Sequence, residues 1–346
     1  MMAEEWPIGA GPAEPARAPA RGGRDRLSTV RVDFFLSPAE RLTEQERALM
    51  TAMLHCLLGD IADEIRAALP SGLAAANDEG NLALVERLSR ARLLDRSVLV
   101  RMLLRRADEE RITTAARARS GRREARVLQG LVSHDSGAIS AAAMALILAR
   151  GRRRDRFGQC LLQFDDLPPE EAAALAQIVA AALRRDLVGL GDISDRDQLL
   201  AGAVEELMAR YDRANGFEEL MAVLVDLLED EGVLSDELIV SAAMEGEMTF
   251  VAQALARRSG LRGEIATDEL LSASEQRVMT LLRLAGVRRE LGAGLLAGIG
   301  DLLGLADPGG AIAAFDALGD AELDDARSWL SADPAYRHAV GSLDNR

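Results

Sequence analysis

The sequence predicts an all-α protein built as a HEAT-like helical-repeat array, an α-solenoid. Three observations predict it. Aromatic residues are 3% of the chain and the apolar content is mostly Ala, Leu, Val and Met, a mixture that favours helices over strands. Apolar residues recur at helical spacing almost without a break from Leu27 onward. Several helix starts look alike, as they do where one helical unit is stacked on the next.

The elements follow in chain order. Residues 1–26 read as a disordered N-terminal tail rich in Pro, Ala and Gly. Glu4 and Glu5 stand where a secretory signal would carry positive charge, and no apolar run follows them. LTEQERALMTAMLHCLLGDIADEIRAAL (42–69) opens with a capping box, Thr43 and Glu46. Leu49, Met53, Leu57, Ile61, Ile65 and Leu69 then line one side of a long helix that ends before Pro70. LLDRSVLV (93–100), AISAAAMAL (138–146), DLPPEEAAAL (166–175) and VLSDELIV (233–240) share a start pattern, an apolar residue before a polar or proline position and then a new apolar face. Pro169 is tolerated because the first turn of a helix has no use for its missing amide.

Repetition is expected from two comparisons. LLDRSVLV…RARSG (93–121) matches VLSDELIV…ARRSG (233–260) in outline with one gap, and SDELI (235–239) recurs as TDELL (267–271). A soft boundary at LVGLGDISD divides an N-terminal helical-repeat domain, 27–190, from a C-terminal extension, 191–346.

Charge divides the chain differently. Residues 1–86 carry net -6, residues 87–156 net +11, and residues 157–346 net -20, within a total of -15. All 41 basic residues are arginine. The GC-rich codons of Arg, Ala and Gly explain a chain-wide bias; a chemical preference for Arg at bidentate anion contacts would explain only a cluster.

The segments RDRLSTVRVDFFL and ERALMTAMLHCLLGDIADEIRAAL, followed by LLDRSVLVRMLL, AISAAAMALIL and DLPPEEAAALAQIVAAALRRDL, resemble the bacterial domain-of-unknown-function family 2336. The likeness is best over residues 25–190, and LSADPAYRHAV (330–340) looks like part of an extension seen in some members. The resemblance implies an all-helical, HEAT-like cytoplasmic protein. It supplies no activity and no catalytic residues.

Motifs that would carry chemistry are weak. GAGLLA (292–297) has the form GxGxxA but no buried strand before it, so close helix packing is the expected role of its glycines. GDISDRD (191–197) lacks the glycine of a calcium loop and reads as carboxylates at a helix start. LLEDEG (227–232) places acid at a helix C-terminus, which opposes the helix dipole unless an arginine faces it. Cys56 and Cys160 sit among leucines and are expected to be buried free thiols, as in a reducing cytosol. His55 points away from its neighbour Cys56, and His134 and His338 lie in unrelated segments. No catalytic residue, metal site or cofactor is expected, and no stretch reaches the length of a membrane span.

The candidate binding surface is basic. Arg119, Arg122, Arg123 and Arg126 fall at i, i+3, i+4 and i+7, which puts them on one helix face. Arg152, Arg153 and Arg154 end the next helix, in ARGRRRDRFG (149–158). The expected function is a non-enzymatic cytoplasmic scaffold that binds a protein partner, of the kind used in signalling and regulation. The alternative is nucleic acid or another anionic ligand on the Arg-rich helices 110–156. The open question is whether the basic face is free or covered by the acidic C-terminal half.

Overall fold

Thr43 starts the first helix, α1 (Glu44–Ala68), as the capping box requires. Its hydroxyl accepts the Glu46 amide at 3.1 Å, and the Glu46 carboxylate accepts the Thr43 amide at 2.8 Å. One orphan amide of the first turn is thereby satisfied, and the chain is held at its point of entry. Met53, Leu57, Ile61 and Ile65 are each 1% exposed or less, and full burial of such side chains contributes about 1.5–3 kcal/mol each.

The structure is a computed structural model, and it describes residues 42–70, 80–121, 126–187, 193–305, 307–333, 336–337, 339–340 and 343. The expected tail, residues 1–26, lies outside the described residues. The described residues from Thr43 onward belong to one compact unit. The described residues hold 15 α-helices and no strand. After α1 come α2 (Gly80–Arg90), α3 (Ser97–Ser120), α4 (Arg126–Val132), α5 (Gly137–Arg152), α6 (Pro169–Leu183) and α7 (Ile193–Arg210). Then follow α8 (Phe217–Asp230), α9 (Asp236–Met244), α10 (Met248–Ser259), α11 (Gly263–Leu270), α12 (Glu275–Leu284), α13 (Arg289–Ile299), α14 (Pro308–Ala317) and α15 (Asp320–Ser331).

Two apolar cores share the helix α3. The first gathers α1, α2, the first half of α3 through Leu99, Leu103 and Ala107, then α6 and α7. The second gathers the rest of α3 through Ile112 and Ala116, then α4, α5 and the helices from α8 to Leu330. The charged run between Ala107 and Ile112, DEER, sits where one core gives way to the other. The boundary expected near 190 falls outside the described residues, and each core draws on both sides of it. Helix α1 packs on α3, α6 and α7, and α5 packs on α8. In the acidic half, α8 packs on α10, α10 on α12 and α12 on α14, with α9 against α13.

The repeats expected from sequence take different forms. Residues 97–120 are one continuous helix, whereas 236–259 are two, α9 and α10, broken at Gly246 with φ +76°. A Cβ on Gly246 would stand 2.6 Å from the Thr113 Cα, so the break lets this backbone lie directly against α3. The Thr113 hydroxyl donates to the Gly246 carbonyl at 2.8 Å. Both segments do end alike, on a serine and a left-handed glycine, Gly121 and Gly260. Ser235 caps α9 by accepting the Leu238 amide at 3.2 Å. The second copy of that motif, TDELL, starts no helix: Thr267 lies inside α11 and bonds back to the Gly263 carbonyl at 2.9 Å.

Candidate functional site

The basic residues singled out from sequence are not carried on one continuous helix. Helix α3 ends at Ser120 because Gly121 turns left-handed, φ +62°. Arg119 and Arg126 therefore belong to different helices, and Arg122 and Arg123 lie outside the described residues. Arg126 is exposed at the start of α4. Arg119, also exposed, grips the Asp301 carboxylate with both terminal nitrogens, and that guanidinium holds the Asp301 carboxyl below its ordinary range.

ARGRRRDRFG turns inward. Helix α5 ends at Arg152, and the Asp155 carboxylate accepts the Phe157 and Gln159 amides at 2.8 Å each to shape the turn that follows. Arg153 is 6% exposed. Its Nε donates to Asp166 Oδ2 at 3.2 Å, a terminal nitrogen donates to Glu109 Oε2 at 3.4 Å, and its guanidinium stands 4.5 Å from the centre of the Phe217 ring. Arg154 clasps both oxygens of Glu110 at 2.8 and 2.7 Å. Arg150 bonds the buried Glu247 and lies 5.9 Å from the same Phe217 ring. Arg106 adds a bond to Glu109 at 3.0 Å. Arg152 alone of the 152–154 run stays exposed, reaching the Asn215 carbonyl at 3.4 Å.

These pairs sit at the junction of the two cores. Two buried carboxylates organise them, and neither was singled out from sequence. Asp166 accepts the Phe217 amide at 2.8 Å and the Gln163 amide at 3.2 Å besides Arg153. Burial opposes its charge, but Arg153 and the two amides outweigh burial and hold its carboxyl below the usual value. Glu247 lies between α9 and α10 and faces Arg150 and Arg117. Here burial prevails over both arginines and pushes the carboxyl up. A position just before LPP hints that Asp166 begins a structured turn; for Glu247 the sequence carries no signal.

Chemically this arrangement is a set of ion pairs. Glu109, Glu110, Asp166, Glu247 and Asp301 each face an arginine. The described residues contain no group of three His, Cys, Asp or Glu able to hold a metal ion. Cys160 is buried and Cys56 is half-buried, so only one of the two matches the expectation of burial. Burial, chiefly, raises both thiols above their ordinary value, which keeps them protonated. A cleft of about 270 Å³ beside the clamp is walled by Phe164, Tyr211 and Phe217 and edged by Arg152 and Arg210; Arg210 is paired with Glu64 at 2.9 Å. Residues of the other motifs also meet partners within the chain. Asp197 pairs with Arg184 at 2.5 Å, Arg257 faces Asp226 and Asp230 near the acidic end of α8, and a Cβ on Gly298 would collide with Met244, so α13 and α9 pack closely.

A different surface stands out once the arginines are accounted for. Helix α5, GAISAAAMALILARGR, is apolar nearly all round, yet only one side of it is buried. Ile139, Ala143, Leu146 and Ala149 face the second core. Ala138 and Ala141 are exposed on the outer side, Met144 is 44% exposed and Leu148 61% exposed. Three turns of helix thus present no charge to solvent. Such a helix is ordinarily covered on both sides.

A family model matches residues 113–318, described as an uncharacterised protein conserved in bacteria, domain of unknown function 2336. The chain belongs to this family. The match takes in α4 to α14 whole, and it reaches well into the half that resemblance alone assigns to an extension. It begins within α3, so the segments before residue 113 that suggest family 2336 stand outside it. The uncharged face of α5 and both buried carboxylates lie inside the family 2336 match. No curated protein and no solved structure matches the chain. Among the described residues, no helix is long and apolar enough to cross a membrane.

Proposed function

We propose that this chain is a non-enzymatic, HEAT-like helical scaffold that binds a protein partner, and that the partner covers the outer face of α5. The observation that carries the reading is the uncharged stripe of Ala138, Ala141, Met144 and Leu148 on a helix whose other side is already packed. The two alanines leave room for a partner backbone to come close, and Met and Leu supply contact area. The occupant is an apolar helix face of another protein, since a strongly acidic molecule repels an acidic surface but not an uncharged one. The stacking of α8, α10, α12 and α14 supports the HEAT-like description. A signalling or regulatory role fits a molecule that offers a docking face.

Nucleic acid on helices 110–156 is the weaker reading. It needs arginines open to phosphates, and Arg119, Arg150, Arg153 and Arg154 each face a carboxylate.

The test is a photo-crosslinking amino acid placed at position 144 or 148 in the native host, with exposed Ala201 on α7 as control position. One discrete protein adduct from 144 and 148, absent from 201, is expected. Equal or no adducts at all three positions, or turnover of a defined substrate by the purified chain, would overturn the reading.

A further inference from the structure

A second surface has the opposite character to the α5 stripe. Helices α2 and α6 flank a groove of about 430 Å³. Its floor is apolar, with Leu88, Leu93, Ile178 and Ala181, and its edges carry Arg87, Arg90 and Arg185. None of its lining residues is acidic, in a chain of net charge -15. Arg87 is tied to Asp186 at 3.2 Å and Arg90 to the neighbouring Glu86 at 2.6 Å, while Arg185 is exposed. An apolar floor between arginines suits an amphipathic helix with an apolar anchor and acidic flanks.

The chain itself holds such a helix. In α15, DAELDDARSWLS, Leu330 is the one buried residue, and Asp320, Glu322, Asp324 and Asp325 are exposed. Leu323 and Leu330 face the second core, which places Ala321, Asp325, Ser328 and Trp329 on the outer side at i, i+4, i+7 and i+8. Trp329 is 42% exposed, and its ring meets that of Tyr336, 60% exposed, edge-on at 6.3 Å. Tryptophan is among the side chains enriched at the residues that anchor interfaces. At about 1.5 Å per residue, the 12 residues of α15 are close in length to the 11 of α2. The groove belongs to the first core and α15 to the second.

We propose that the groove between α2 and α6 receives helix α15 of a second copy of the chain, with Trp329 on the apolar floor and Asp324 and Asp325 against Arg90 and Arg185. The contact is heterologous: each copy offers a groove at one place and a helix at another, so assembly proceeds head to tail. It does not involve α5 and stands whether or not the partner reading of that face holds.

The experiment is sedimentation velocity on the full chain between 1 and 100 μM at near-physiological salt. The weight-average mass is expected to rise above the 37.1 kDa of one chain. A groove variant, Arg90→Glu with Arg185→Glu, and a helix variant, Asp325→Arg with Trp329→Ala, change only exposed side chains; each is expected to stay monomeric with an unchanged melting curve. Mixed together they are expected to form a dimer, because one supplies an intact helix and the other an intact groove. In a Trp6→Phe background, where Trp329 is the remaining tryptophan, its emission is expected to shift to the blue as mass increases. A wild type that stays monomeric throughout, association that survives in either variant, or a mixture that remains monomeric would overturn the proposal.

Discussion

Replacing Asp166 by alanine tests whether the arginine segment is a structural clamp. The substitution removes the acceptor of two amides, Phe217 and Gln163, and the main counter-ion of Arg153, which is 6% exposed. Glu109, at 3.4 Å, and the more distant Glu218 are the carboxylates left near that guanidinium. Breaking a buried ion pair by deleting one partner costs about 3–5 kcal/mol, and a stranded buried amide adds about 1–3 kcal/mol where water cannot reach it. These costs overlap, so about 4 kcal/mol is a fair central value. With a melting entropy of about 2.1 cal/mol/K per residue, a chain of 346 residues loses roughly 5–6 °C in melting temperature. Asp166→Asn keeps an acceptor for the Phe217 amide but not the charge, and is expected to lose about half as much.

The sign of the pH dependence is fixed as well. The folded carboxyl of Asp166 titrates below its ordinary value, so its stabilisation is complete above the unfolded value of about 3.9 and is lost as pH falls through the folded one. Thermal melts of wild type and Asp166→Ala at pH 7, 5 and 3.5 are the assay. The difference is expected to hold from pH 7 to 5 and to begin shrinking toward pH 3.5. A shift of less than about 1.5 °C at pH 7, equivalent to about 1 kcal/mol, or a gap that grows in acid, would refute the reasoning.

Other expectations follow from the same geometry. Gly246→Ala combines a left-handed backbone with a Cβ 2.6 Å from the Thr113 Cα and is expected to cost about 2–4 kcal/mol. Gly232→Ala, left-handed in open space, is expected to cost only about 1–2 kcal/mol; denaturant midpoints compare the two. Met144→Glu with Leu148→Glu alters exposed positions and is expected to change stability by no more than about 0.5 kcal/mol, so a lost adduct in that variant reports binding rather than unfolding. Purified chain is expected not to be retained on a DNA column at 0.1 M salt, since its net charge is -15 and Arg119, Arg150, Arg153 and Arg154 face carboxylates; salt-sensitive retention would favour the nucleic-acid reading instead.

Much of the fold was legible because it is local. The Thr43 and Glu46 box, the apolar line from Met53 to Ile65, the Pro169 helix start and the Ser235 cap depend on residues within a turn or two of each other, and each appears where the sequence places it. The alignment of Arg119 with Arg126 turns on one residue. A helix drawn through Gly121 aligns Arg119 with Arg126, but a glycine after RARS is a stop signal, and the structure uses it as one. The fate of Arg153 was not legible at all. Its partners Glu109 and Asp166 come from 44 residues before and 13 after, and nothing in the local pattern tells a solvated helix end from one folded back between two cores. The acidic half does engage the basic segment, through Asp166, Glu247 and Asp301, but by single pairs on separate elements rather than by one facing surface. The exposed side of α5 was legible in principle, because a helix apolar all round at the surface signals a missing neighbour. Leu, Ala and Met elsewhere in the chain made that segment look like ordinary core.

The most direct test of the central claim compares complexes isolated from the native host with three baits by quantitative mass spectrometry. The baits are wild type, Met144→Glu with Leu148→Glu, and Arg152→Glu with Arg156→Glu, the last two being exposed arginines of the basic segment. Loss of the wild-type partner from the α5 variant, with retention by the arginine variant, is the expected result. Retention by the α5 variant and loss from the arginine variant would contradict the claim and return the binding surface to the basic segment.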